Sequence, residues 1–236
     1  MTNLPDSLNL PIYLPIVFIL ASLYSLIQFY RIIKQSPTHA DKANLIIGGI
    51  LIWIGLQSIL SSNQFYTSSM STTPPRFLLA IVPTIIAMLL TFFTIKGRAF
   101  IDSLSLVPIT WLNIVRIPVE FCLYWLFLGE AVPELMTFAG RNFDILAGLI
   151  APFIVYFGFQ KQIFSRQIIL IWNYLSLGLL LFIVFNGLLS APTTLQQFAF
   201  DQPNIALAYF PYVLLPALIV PLVLFGHFVS IRQLSK

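Results

Sequence analysis

The chain has 236 residues, 58% of them hydrophobic and 8% charged, where soluble domains run at roughly 45–50% and about 25%. This excludes a water-soluble globular domain, because nearly every residue falls in an apolar run or a short connection. The net charge of +4 comes from basic residues scattered at the ends of those runs and not gathered in a stripe, which argues against nucleic acid as a partner and for membrane topology.

The chain starts Met-Thr-Asn-Leu-Pro-Asp-Ser, with no positive charge before the first apolar run and no small-residue cleavage signature after it, so that run is expected to be retained. Seven runs approach the roughly 20 apolar residues needed to cross a bilayer. They cover residues 11–33, 44–62, 77–96, 107–128, 143–160, 167–190 and 206–231. Lipid offers no hydrogen-bond partners, and the runs are too evenly apolar for barrel strands, so helices are expected throughout. The expected fold is an all-α integral membrane protein, one polytopic domain over 1–236, in a plasma or bacterial inner membrane.

Orientation follows from the basic residues. Arg31, Lys34 and Lys42 follow the first run, Lys96 and Arg98 the third, Lys161 and Arg166 the fifth, and Arg232 and Lys236 the seventh. The other side has Arg76 and Arg141, together with Asp6, Glu130, Glu134, Asp144 and Asp201. By the positive-inside rule the N-terminus is expected outside and the C-terminus in the cytoplasm.

Between the second and third runs, Asn63 to Pro75 reads as an exposed polar loop. Within the third run, Ala-Ile-Val-Pro83 loosely matches Val-Leu-Leu-Pro216 in the seventh. That likeness fits a three-plus-one-plus-three arrangement with the fourth helix as linker. Pro118, Pro152, Pro211 and Pro221 also lie inside runs and are expected to bend them, the last run most of all.

The fourth run carries the polar residues that set it apart. At about 100° per residue, Asn113, Arg116, Glu120 and Tyr124 fall within roughly 80° of arc and form one stripe. A charge this deep is costly and is expected to face the bundle interior with a partner. Glu120 is one turn from Arg116, so the two are expected to pair, with the Ile114 carbonyl freed by Pro118 as a further acceptor. Asn173 and Tyr174 on the sixth run lie at a matching depth, and Gln57, Ser58, Tyr156 and Tyr212 are other polar groups that could line an interior.

The connection Glu130 to Asp144 reads as a short interfacial helix, with Pro133 near its start and Gly140 where it stops. Its Glu130, Glu134, Arg141 and Asp144 form an outer cluster suited to a cation or an amine, and also to capping. The single cysteine, Cys122, reads as a small buried hydrophobe.

Several chemistries lack their residues. Every lysine lies outside the runs, so a retinal-type Schiff base has no amine. The histidines, His39 and His227, have no spacing for a haem or metal site, and His227 reads as an interface residue. No hydrolase elbow or phosphate loop is present, and no cofactor is expected. The leading expectation is a small-solute or ion transporter. In it Arg116 attracts an anionic group, Glu120 is the counter-charge or proton acceptor, and Asn113, Tyr124 and Asn173 line the site. The rivals are a membrane subunit or sensor acting through a partner protein, and a lipid-modifying enzyme using the outer acidic residues. The implied partners are the lipid bilayer and a small anionic or lipidic ligand; no particular protein partner is indicated.

Overall fold

The computed structural model describes Leu8, residues 10–69 and residues 72–236. Asp6, assigned above to the outer side, and Met70 and Ser71 of the polar loop lie outside the described residues. All regular structure among the described residues is helical. We number the helices α1 (Tyr13–Lys34), α2 (Ala43–Ser62), α3 (Val82–Phe93), α4 (Ile95–Asp102), α5 (Leu106–Leu128), α6 (Ile145–Gln160), α7 (Arg166–Leu189) and α8 (Leu215–Leu234). Five of them, α1, α2, α5, α7 and α8, are long and apolar enough to cross a membrane. A sixth is added if α3 and α4 are taken as one bent span.

The elements depart from the apolar runs where local chemistry intervenes. The third run does not continue straight to residue 96: after a 3-10 turn at Arg76–Ala80, α3 ends at Phe93, Thr94 is extended, and α4 leaves at 90°. The Thr94 side chain accepts from the Gly97 amide at 3.1 Å and so caps α4. The seventh run forms its long helix, α8, from Leu215 and not from residue 206. Ala206–Ala208 is an isolated 3-10 turn and Tyr209 is extended, so the chain is not helical ahead of Pro211. The expected interfacial helix between α5 and α6 is only a 3-10 turn at Glu134–Met136. There the chain folds back on itself so closely that a Cβ on Gly140 would lie 2.8 Å from the Glu134 carbonyl carbon.

Proline effects are absorbed inside the helices. Pro118 cannot donate to Ile114, and α5 tightens into a 3-10 turn at Asn113–Val115. Pro152 is followed by a π-helical stretch at Ile154–Gln160, and Pro216 lies in a π-helical first turn of α8 at Leu215–Ile219.

Alternate helix ends gather at two poles. At one, Ser36 bonds Ser103 at 2.8 Å, Arg232 bonds Asp102 at 2.9 and 3.1 Å, and Arg166 bonds the Leu234 carbonyl at 2.6 Å. At the other, Gln202 donates to the Phe127 and Val132 carbonyls, Asn204 to that of Gly187, and Ser61 to that of Ala208. The centre of the bundle is α8: 78% of its most apolar stretch is buried, against 11% for α2. A helix that is apolar all round belongs inside, and α7, α5 and α1 pack about it.

Candidate functional site: a buried arginine joining four helices

Arg116 follows the 3-10 turn of α5 and is 2% exposed. Gly148 brings α6 against this turn. A Cβ there would lie 2.9 Å from Ile117 Cγ1 and 3.1 Å from the Asn113 carbonyl oxygen, so a side chain at this position would force Ile117 to shift and the turn to give way. One turn earlier, Asp144 stands at the start of α6, where the helix dipole favours a carboxylate. The Arg116 Nη1 donates to Asp144 Oδ1 at 2.7 Å.

The guanidinium reaches two further helices. Nη1 also donates to the Ser176 carbonyl of α7 at 3.1 Å, and Nη2 meets His227 Nε2 of α8 at 2.7 Å. Arginine can only donate, so His227 Nε2 is the acceptor and the ring proton sits on Nδ1. That nitrogen donates to Asn173 Oδ1 at 3.0 Å, while Asn173 Nδ2 bonds the Ile169 carbonyl at 2.9 Å. One side chain thus links α5, α6, α7 and α8.

Glu120, 1% exposed, lies one turn beyond Arg116. The expected pairing along α5 does not form: the ion pair of Arg116 is with Asp144, and Glu120 enters none among the described residues. Three neighbouring helices offer the guanidinium acceptors off the α5 axis, and a same-helix carboxylate cannot supply that set. Glu120 Oε1 instead accepts from Asn142 Nδ2 at 2.6 Å. Asn142 is itself fixed, with its oxygen accepting from the Asp144 amide at 3.0 Å. Glu120 Oε2, Arg116 Nε and Asn113 Oδ1 are buried without a partner. The first two belong to residues that line, with Asp144, the polar end of a cavity of about 70 Å³. Its other walls are apolar and include Ile183, Val184, Val223 and Phe77.

The remaining expected site residues fall in three places. Asn113 is buried beside the centre, its amide near the Ile109 and Thr110 carbonyls at 3.4 and 3.3 Å. Asn173 enters through His227. Tyr124 is apart, stacked on Phe138 with centroids 4.9 Å apart. The outer cluster is not one group: Asp144 is buried on Arg116, and Glu130 is exposed. Glu134 and Arg141 share a surface hollow without an ion pair, and Arg141 bonds Asn186 at 2.7 Å. Gln57 is taken by the Tyr66 hydroxyl, Ser58 bonds its own helix, Tyr156 and Tyr174 are exposed, and Tyr212 packs on Phe18.

The sequence reading missed His227 and Asn142. His227 is 1% exposed, not an interface residue. Its signal was available: His227 is the first polar side chain of α8 after an unbroken apolar stretch from Leu215, and a polar group set among apolar neighbours must be bonded where it is buried.

No curated protein and no solved structure matches the chain. Arg116, Glu120, Asp144, Asn173 and His227 all lie within residues 74–235, the stretch that matches the family described as Domain of unknown function (DUF8737), and by that match the chain belongs to this family.

Proposed function

We propose that the protein is an integral membrane protein with seven helical crossings, N-terminus outside and C-terminus cytoplasmic, that moves a small anionic solute together with a proton. The topology is supported by the two poles: the one holding Asp102, Arg166 and Arg232 also follows the basic end of α1 and includes α4, which carries Lys96 and Arg98. In this arrangement α3 crosses and α4 lies along the cytoplasmic interface. The twelve residues of α3 span about 18 Å and the sixteen of α6 about 24 Å, both short of the roughly 30 Å core, so these helices cross only where their neighbours shelter their ends.

The observation that carries the functional reading is the pair of unpartnered atoms, Arg116 Nε and Glu120 Oε2, on residues at the polar end of an otherwise apolar cavity. Arg116 supplies a donor to an anionic oxygen. One guanidinium already faces two carboxylates, and an added anion brings a third negative charge, so entry requires a proton, which Glu120 is placed to hold. A cavity of about 70 Å³ holds a small anion or a few waters, one water needing at least about 10–15 Å³.

The test uses a Cys122→Ala background with Val184→Cys or Val223→Cys and a charged thiol reagent added from either face. Modification that a small carboxylate slows supports a solute path. Inertness of both positions from both faces removes it. Proteoliposomes with an internal pH dye then read proton entry along an anion gradient, which Glu120→Gln should abolish. A second reading, a membrane subunit without transport, is favoured by the four-helix bonding of Arg116, which would serve to hold the bundle in one shape.

A further inference from the structure

A second cavity, of about 430 Å³, lies against a different face of α8 and is bounded by α1, α2, α3 and α4. Its polar wall groups are already bonded: the Trp53 indole donates to the Ala217 carbonyl at 3.0 Å, Thr84 to Ile81 at 2.7 Å and Thr91 to Met88 at 2.6 Å. The interior therefore asks nothing polar of an occupant. The mouth is different. Lys42, at the start of α2, and Lys96, on α4, both line the cavity, and neither forms an ion pair among the described residues. From Lys42 to Trp53 the wall runs about 16 Å at 1.5 Å per residue, the depth of one leaflet of a roughly 30 Å hydrocarbon core.

We infer that this cavity binds an anionic phospholipid of the cytoplasmic leaflet, one acyl chain between α2, α3 and α8 and the phosphate against Lys42 and Lys96. Charge complementarity selects the headgroup, and the leaflet-deep apolar wall selects a chain over free phosphate. The 90° elbow between α3 and α4 is what holds Lys96 over the mouth. The inference rests on the membrane reading above and is independent of solute movement at Glu120.

The test is the thermal stability of the detergent-purified protein titrated with phosphatidylglycerol, phosphatidylcholine or inorganic phosphate. Phosphatidylglycerol should stabilise the protein, phosphatidylcholine much less, and phosphate not at all. Lys42→Gln with Lys96→Gln should weaken the phosphatidylglycerol midpoint by about thirtyfold, since each lysine contributes to anionic-lipid attraction. Arg31→Gln with Lys34→Gln, an equal charge change away from the cavity, should leave the midpoint unaltered. Should the lysine variant not fold, Ala87→Trp, which fills the cavity, should remove the effect. Equal stabilisation by both lipids, the same shift with phosphate alone, or equal loss in the Arg31/Lys34 control overturns the inference. Release of the protein from membranes by alkaline carbonate would overturn the membrane reading with it. Retention without lipid selectivity overturns this inference alone.

Discussion

Arg116 is held by an acceptor on each of three other helices, and removing one leaves a buried charge with less to hold it. Asp144→Ala should therefore cost about 3–5 kcal/mol in thermal or chemical unfolding. Glu120→Gln keeps an oxygen for Asn142 and should cost no more than about 1 kcal/mol. Double-mutant cycles should show the stronger coupling between Arg116 and Asp144, and a stronger coupling to Glu120 would contradict the geometry. His227→Ala strips the acceptor from Nη2 and should cost about 1–3 kcal/mol. At this scale the sequence was half legible. The spacing of Asn113, Arg116 and Glu120 marked one interior stripe, but it favoured a carboxylate one turn away over one 28 residues along the chain. Periodicity reports neighbours on one helix and is blind to what a second helix delivers. Tyr124 shows the same limit: it falls on the same arc by angle, yet it stacks on Phe138.

Helices carry these side chains to one another through close approaches that only a small residue allows. Gly148→Leu should push α6 from α5 and separate Asp144 from Arg116, so its destabilisation should largely overlap that of Asp144→Ala and not add to it. Gly97 plays the corresponding part at the elbow, where a Cβ would lie 2.6 Å from the Thr91 Cα. Spin labels at positions 82 and 99 should sit about 20 Å apart across a right-angled α3–α4 and about 26 Å apart were the helix straight. Gly97→Ala should move the distance toward the larger value. The existence of the apolar helices was readable from run length, because nothing but burial or lipid accounts for so many consecutive apolar residues. Their ends were less so. The break at Thr94 and the late start of α8 at Leu215 fall inside continuous apolar sequence, where a capping hydroxyl or a proline-led extension decides and hydropathy does not change.

Across the whole molecule, the far end of α8 is tied to α4 by Asp102, which pairs with Arg232 at 2.9 Å and with Lys236 at 2.6 Å. The hydrogen bonds from Arg232 hold the Asp102 carboxyl below its ordinary range, against a smaller opposing effect of burial. A depressed carboxylate stabilises fully above its unfolded value of about 3.9 and loses that contribution as pH falls through the folded value. A spin label at position 235 should thus stay immobile at neutral pH and loosen below about pH 4. In Asp102→Asn it should be more mobile than in the parent at neutral pH and lose its dependence on pH, while Arg166 and Gln233 still hold the adjoining backbone.

The burial of α8 at the centre bears on how the chain is made. His227 is 111 residues beyond Arg116, so at about 5–20 residues per second it leaves the ribosome roughly 6–22 seconds later. For that interval the guanidinium would be surrounded by helices with their middle member missing. Asp144 arrives only 28 residues after Arg116, within a few seconds at the same rate. The counter-charge made soon after it in the chain can neutralise the arginine during synthesis, before the helix that fills the centre of the bundle has been made.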